Sequence, residues 1–143
     1  MCGMILNIKK LHSDAKVPTY AHEGDAGFDL CAIENVTIKA GERALVRTGI
    51  AMEIPFGYVG LIWDKSGLSM NHGLKTLGGV VDAGYRGEVT AGIINLSTSD
   101  YVFTAGHKVA QMLIQKVERV EIKEVVELSD TARGDGGYGS TGK

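Results

Sequence analysis

A carboxylate sits inside an apolar, glycine-rich stretch, GGVVDAGYRGEV, over residues 78–89. Asp82 follows Val80 by two residues, so in a persisting strand both side chains share a face, and a carboxylate there serves either a turn or a reaction. As turn chemistry, Asp82 opens DAGY and bonds its own backbone. As reaction chemistry, an enclosed carboxylate takes a proton from water. Tyr85 is either a core ring or one wall of a pocket.

Two further stretches carry groups suited to phosphate. In WDKSGLS (63–69), Lys65, Ser66 and Gly67 offer a cation, a hydroxyl and unobstructed backbone, although the same residues are ordinary solvated turn chemistry. In RGDGGYGSTGK (133–143), Arg133 supplies a fork of donors, successive backbone N–H groups can form an anion nest, and Tyr138 offers a face for a base. Residues 137–143 fit the first seven positions of the pattern G-x-x-x-x-G-K-[ST], but neither a hydroxyl residue nor a helix follows Lys143. A glycine-rich terminus is commonly disordered. The expectation drawn from its content is a lid that folds over a ligand held elsewhere.

The remaining polar residues are less telling by themselves. DAGFDL (25–30) sets Asp25 and Asp29 around a glycine, and GHKVAQMLI (106–114) reads as a turn entering a buried strand with Gln111 as its odd polar member. The four histidines, at 12, 22, 72 and 107, have no partners at metal-ligand spacing, so no metal bound directly by protein side chains is expected. Cys2 and Cys31 read as reduced thiols in a cytosol-like compartment.

Positioning these groups requires a scaffold, and 143 residues with 44% hydrophobic content suffice for one domain with a core. The net charge of -2 with interspersed signs gives no basic stripe and argues against a nucleic-acid partner. Apolar runs such as VAQMLI fall short of the roughly 18 residues of a membrane span, and MCGMILNIKKL lacks the order of a secretory signal. A cytoplasmic protein with no membrane partner is expected.

Glycine fills 20 positions, about twice its usual share, which implies many tight turns. Between them recur MILNIKK, VTIKA, ALVRTGIAMEI, YVGLIW, GEVTAGIIN, YVFTA, KVAQMLIQKV and VEIKEVVEL, each bounded by glycine, proline or aspartate. That rhythm predicts an all-β barrel or sandwich. SGLSMNHG, from Ser66, is the one helical candidate, ended by Gly73. Residues 12–28 read as loop, and the division expected is a β domain over 1–128 followed by a mobile arm over 129–143.

In order along the chain, AGFDL (26–30), KSGL (65–68), GVVDAGYRGEV (79–89), GHKVAQMLI (106–114) and RGDGGYGSTG (133–142) resemble the five motifs of the trimeric dUTP pyrophosphatases, the dUTPases. The resemblance implies a β-barrel or jelly-roll-like subunit of β-clip type, assembled as a homotrimer with sites shared between subunits. It implies hydrolysis of dUTP to dUMP and pyrophosphate with Mg²⁺ carried on the triphosphate, which cleans the nucleotide pool and supplies the precursor of dTMP. Asp82 then matches the base that deprotonates water for attack on the α-phosphorus, and Tyr85 the ring beneath the deoxyribose. Gly79, Val81 and Thr90 fall where backbone reads uracil, and Lys65, Ser66 and Gly67 where phosphate is held. Gln111 lines the site, Asp29 stands near the metal's water shell, Arg133 grips the γ-phosphate, and Tyr138 and Gly139 close over the base.

Departures from that pattern are Lys65 and Lys108 where arginines are usual, Gly84 for a second aspartate, and Tyr138 for phenylalanine. Two rivals share parts of this pattern. A dCTP deaminase would need acid–base groups aimed at cytosine C4, and a nucleotide sensor would keep the fold without the reaction.

Overall fold

The computed structural model describes residues 3–142; the thiol reading of Cys2 and the closing Lys143 of the tail lie outside the described residues. Among the described residues there are eleven short strands and one helix. Every strand pairing is antiparallel, in four small sheets ordered β1-β5, β10-β3, β2-β11-β6-β8 and β4-β9-β7. The strands are β1 (Asn7–Lys10), β2 (Phe28–Cys31), β3 (Val36–Ile38), β4 (Arg43–Arg47), β5 (Ile50–Glu53) and β6 (Tyr58–Trp63). After helix α1 (Ser66–His72) come β7 (Leu74–Leu77), β8 (Val80–Val81), β9 (Thr90–Asn95), β10 (Tyr101–Phe103) and β11 (Lys108–Lys116).

Period-two alternation explains the local choice of strand. Along β9 the residues Ala91, Ile93 and Asn95 are buried while Thr90, Gly92 and Ile94 are not, so one face joins the core. Leu30, Ile38, Val46, Ile50, Ile93, Phe103 and Met112 come from seven different strands and form one apolar cluster. Asn95 is fully buried among them, and its amide is satisfied: Nδ2 donates to the Ile38 and Ser99 carbonyls, and Oδ1 accepts from Ser97. The helix expected from Ser66 forms and ends at Gly73, whose N–H bonds the Ser69 carbonyl at 3.0 Å. Among the described residues no helix is long and apolar enough to cross a membrane.

Two expectations need correction. ALVRTGIAMEI is not one strand: it breaks at Thr48-Gly49 into β4 and β5, which belong to different sheets. VEIKEVVEL forms no strand, and Val120, Ile122, Val126 and Leu128 are 77%, 93%, 100% and 87% exposed. A strand needs a partner edge, and the last backbone bond to the packed domain runs from Val117 to the Gly57 carbonyl. Conversely, β7 and β8 escape the periodicity because they are too short, and β2 is hidden at the end of a loop.

Candidate active site

Strand pairing brings three of the five sequence segments to one place. β11 lies between β2 and β6, and its Gln111 is opposite Asp29 on one side and Trp63 on the other. Two residues beyond Trp63 stands Lys65, immediately before α1. Asp29 is buried at 6% exposure; its Oδ1 accepts from Lys65 Nζ at 2.5 Å and its Oδ2 from Lys108 Nζ at 2.6 Å. Gln111 Nε2 donates to the Asp64 carbonyl at 2.9 Å. Ser66 and Gly67 are exposed on the first turn of α1. Lys65 gives one of its three donors to Asp29, leaving two for a ligand.

Electrostatics favour the charged forms here. Burial pushes the Asp29 carboxyl up, but hydrogen bonds from Lys108 and Lys65, and their charges, outweigh it and hold the group below its ordinary value. Lys108 moves up, first through its hydrogen bond to Asp29 and then through that charge. Asp64 behaves like Asp29: burial acts upward, yet bonds from Lys75 and Thr76 leave its carboxyl lowered. Its Oδ1 accepts from Thr76 N at 2.6 Å and Thr76 Oγ1 at 2.8 Å, and its Oδ2 from Lys75 at 2.8 Å, so it ties the end of β6 to β7 directly before Lys65.

A pH dependence follows, with its sign fixed by the lowered carboxyls. A depressed folded-state pKa contributes stability that is present above the unfolded value, near pH 4, and lost as pH falls through the folded value. Thermal midpoints should therefore drop as pH is taken from about 5 to about 3, and Asp64→Asn should flatten that slope. A scanning-calorimetry series showing parent and variant with the same slope contradicts the assignment.

The segment 78–89 builds a second, separate cluster. A cavity of about 210 Å³ is lined by Ile62, Gly79, Val81, Asp82, Tyr85 and Thr90, among others. Gly79 has φ 108°, and a Cβ there would stand 2.8 Å from the Ile62 carbonyl oxygen; only glycine lets this hairpin lie so close to β6. The DAGY turn is closed by backbone alone, from Tyr85 N to the Asp82 carbonyl at 3.1 Å. Among the described residues no hydrogen bond or ion pair engages the Asp82 carboxylate, which stands exposed at the cavity mouth. Its side chain is thus free for chemistry and is not consumed by the turn. Tyr85 is 48% exposed and forms a cavity wall, so the core-ring alternative is excluded.

These two clusters do not meet within one chain. Val81 pairs with Gly60, and antiparallel register carries Asp82 toward Val59, six residues before Lys65. Six extended residues span at most roughly 20 Å, and the two groups lie toward opposite ends of β6 in clusters with no residue in common. The third group is apart from both. Arg133 Nε bonds the Gly136 carbonyl at 2.9 Å, the arm's turns from Thr131 to Gly142 close on themselves, and Tyr138 is fully exposed in the left-handed region at φ 50°.

Sequence reading omitted Asp64, Arg86 and Glu88 from the site and noted Lys108 only as a departure. The one available signal was strand register: Lys108 lies three residues before Gln111, across the β-bulge between Lys108 and Ala110, and this is what turns it onto Asp29. A hydrated metal ion has acceptors to use beside the phosphate cluster, because the Asp29 carboxylate offers about four lone-pair sites and the two ammonium groups take two.

Comparison with known proteins places the chain in one family. The dUTPase family model matches residues 13–142. The deoxyuridine 5'-triphosphate nucleotidohydrolase of Clostridium kluyveri is 48% identical over 97% of this chain and 99% of its own length. A Staphylococcus bacteriophage 80alpha dUTPase variant with dUpNHpp superposes with a TM-score of 0.92 at 30% identity, covering 97% of this chain and 99% of that one. A variant of the dUTPase from phage phi11 of S. aureus, which coordinates a structural Mg(II) ion, gives a TM-score of 0.83 at 29% identity over 89% of this chain and 100% of that one. With nearly its whole length accounted for by one family in both sequence and shape, this chain belongs to the dUTPases.

Proposed function

We propose that the protein hydrolyses dUTP to dUMP and pyrophosphate in sites each built from more than one copy of the chain, in a homotrimer. The observation that carries this reading is the placement of Asp82 and Lys65 toward opposite ends of β6, in clusters that do not meet within one chain; a second copy can bring the two kinds of cluster to one nucleotide. Family membership supplies the substrate. Removing dUTP in this way would clean the nucleotide pool and yield the precursor of dTMP.

The division of labour follows from the two clusters. Uracil enters the cavity and meets the backbone of Gly79, Val81 and Thr90, with Tyr85 under the deoxyribose. Lys65, Ser66 and Gly67 of a second copy hold phosphate oxygens, and Asp29 and Gln111 hold that cluster in shape. Asp82 takes a proton from water aimed at the α-phosphorus, and the phosphate donors stabilise the charge that gathers on the departing pyrophosphate. Asp29 would face the water shell of a Mg²⁺ carried on the triphosphate, and that ion would supply charge neutralisation when bound. The arm 129–143 of a copy other than the one that supplies Asp82 closes over the nucleotide, with Arg133 at the γ-phosphate and Tyr138 and Gly139 at the base, and excludes bulk water.

Mixing two inactive variants tests the shared site. Asp82→Asn lacks the base, and a chain ended before Arg133 lacks the lid. Unfolded together at equal amounts and refolded, they should recover roughly a quarter of parent pyrophosphate release, since half the sites have Asp82 and half of those an arm. If the mixture stays as inactive as its components, base and lid belong to the same chain and the shared-site reading fails. Ammonia release from dCTP would instead identify a deaminase.

A further inference from the structure

We propose that Gly87 is a specificity-determining residue, whose bare Cα is the seat that fixes the Tyr85 ring as a wall of the nucleoside cavity; this rests on reading that cavity as the deoxyribose site. An ideal Cβ at Gly87 would stand 2.4 Å from Tyr85 Oη, 2.6 Å from Cζ and 3.0 Å from Cε2. The ring therefore lies directly on the backbone at 87. Its hydroxyl reaches one residue further and donates to the Glu88 carbonyl at 3.1 Å.

The backbone under the ring is held from both sides. Arg86 Nη1 donates to the carbonyls of Ala83 and Tyr85 at 2.7 and 3.0 Å, and Nη2 reaches Glu53 of β5 at 3.2 Å. On the far side, Glu88 Oε1 accepts from Gly49 N at 2.8 Å and Oε2 from Arg47 Nε at 3.1 Å. The Thr48 hydroxyl donates to the Val89 carbonyl, and Val89 N donates to the Ile50 carbonyl at 2.8 Å. Thus the short segment Arg47–Glu53 carries the loop that carries the ring.

That arrangement decides what gives way when a methyl group is added at 87. Gly87 is not among the glycines with positive φ, so alanine meets no backbone strain there. The clamped backbone resists, whereas the half-exposed ring has solvent to move into. It leaves its seat and its bond to Glu88, and the 2′ side of the pocket opens. A displacement of about 1 Å is enough to spoil a close steric fit.

The test is the ratio of kcat/KM for dUTP to kcat/KM for UTP, a quantity that general structural damage lowers in neither direction because both substrates suffer alike. In Gly87→Ala the ratio should fall about tenfold, with the thermal midpoint near the parent's. Glu88→Gln, which keeps the Gly49 contact and gives up the Arg47 ion pair, should lower it about threefold and carries the test if the alanine variant does not fold. A Tyr85→Ala control separates the possible failures. If that control collapses the ratio while Gly87→Ala and Glu88→Gln leave it at the parent value, the seat is overturned and the deoxyribose reading survives. If all three leave it unchanged, Tyr85 does not face the sugar, and both fall together.

Discussion

Asp82→Asn should reduce turnover of dUTP by about 10²–10⁴ while leaving its affinity nearly intact. The amide is isosteric with the carboxylate, and the side chain makes no hydrogen bond or ion pair within the described chain, so little structure is lost with the charge. What disappears is the acceptor for the proton of the attacking water. Pyrophosphate release measures the first part of the expectation, and titration calorimetry with a non-hydrolysable dUTP analogue the second. A variant that retains most of its rate would remove Asp82 from the role of base. One that loses binding as well as rate would make it a ligand contact instead.

A chain ended before Arg133 should fold as the parent does and lose about 10²–10³ in kcat/KM. The described residues of the deleted segment, 133–142, bury nothing: they are exposed or half-exposed, and their described hydrogen bonds stay within the arm. Stability should accordingly be unchanged by circular-dichroism melting. The loss arises because an arginine fork, a stacking ring and a water barrier are removed from the nucleotide together. If melting shows the truncated protein unfolded, the segment is structural and the lid reading is wrong.

Much of this was readable before any coordinates, for identifiable reasons. The all-β class was legible because short β-branched and apolar runs recur between glycines, and β9 shows the alternation clearly. α1 was legible because Gly73 ends it. The Lys65–Asp29–Lys108 cluster was not, since its members lie 36 and 79 positions from Asp29 in the chain, and only the register of β2 on β11 on β6, with its bulge, brings them together. Nor could spacing show that Asp82 and Lys65 of one chain are far apart, because both sit near the strands β6 and β8, and the antiparallel pairing alone sends them in opposite directions. The strand expected over 120–128 failed for a related cause: amphipathic alternation specifies a face, but the edge that receives it is supplied by other residues.

That run has a bearing on the life of a newly made chain. A stretch of large aliphatic side chains held in water, with its backbone groups unpaired, is a ready template for promiscuous sheet growth. Glu121, Lys123, Glu124 and Glu127 are interleaved with those side chains. Their excess of negative charge makes two such stretches repel each other when they meet in solution, which disfavours fibrous stacking of newly made chains. A single short peptide thus carries both the hazard of sheet growth and the charges that oppose it.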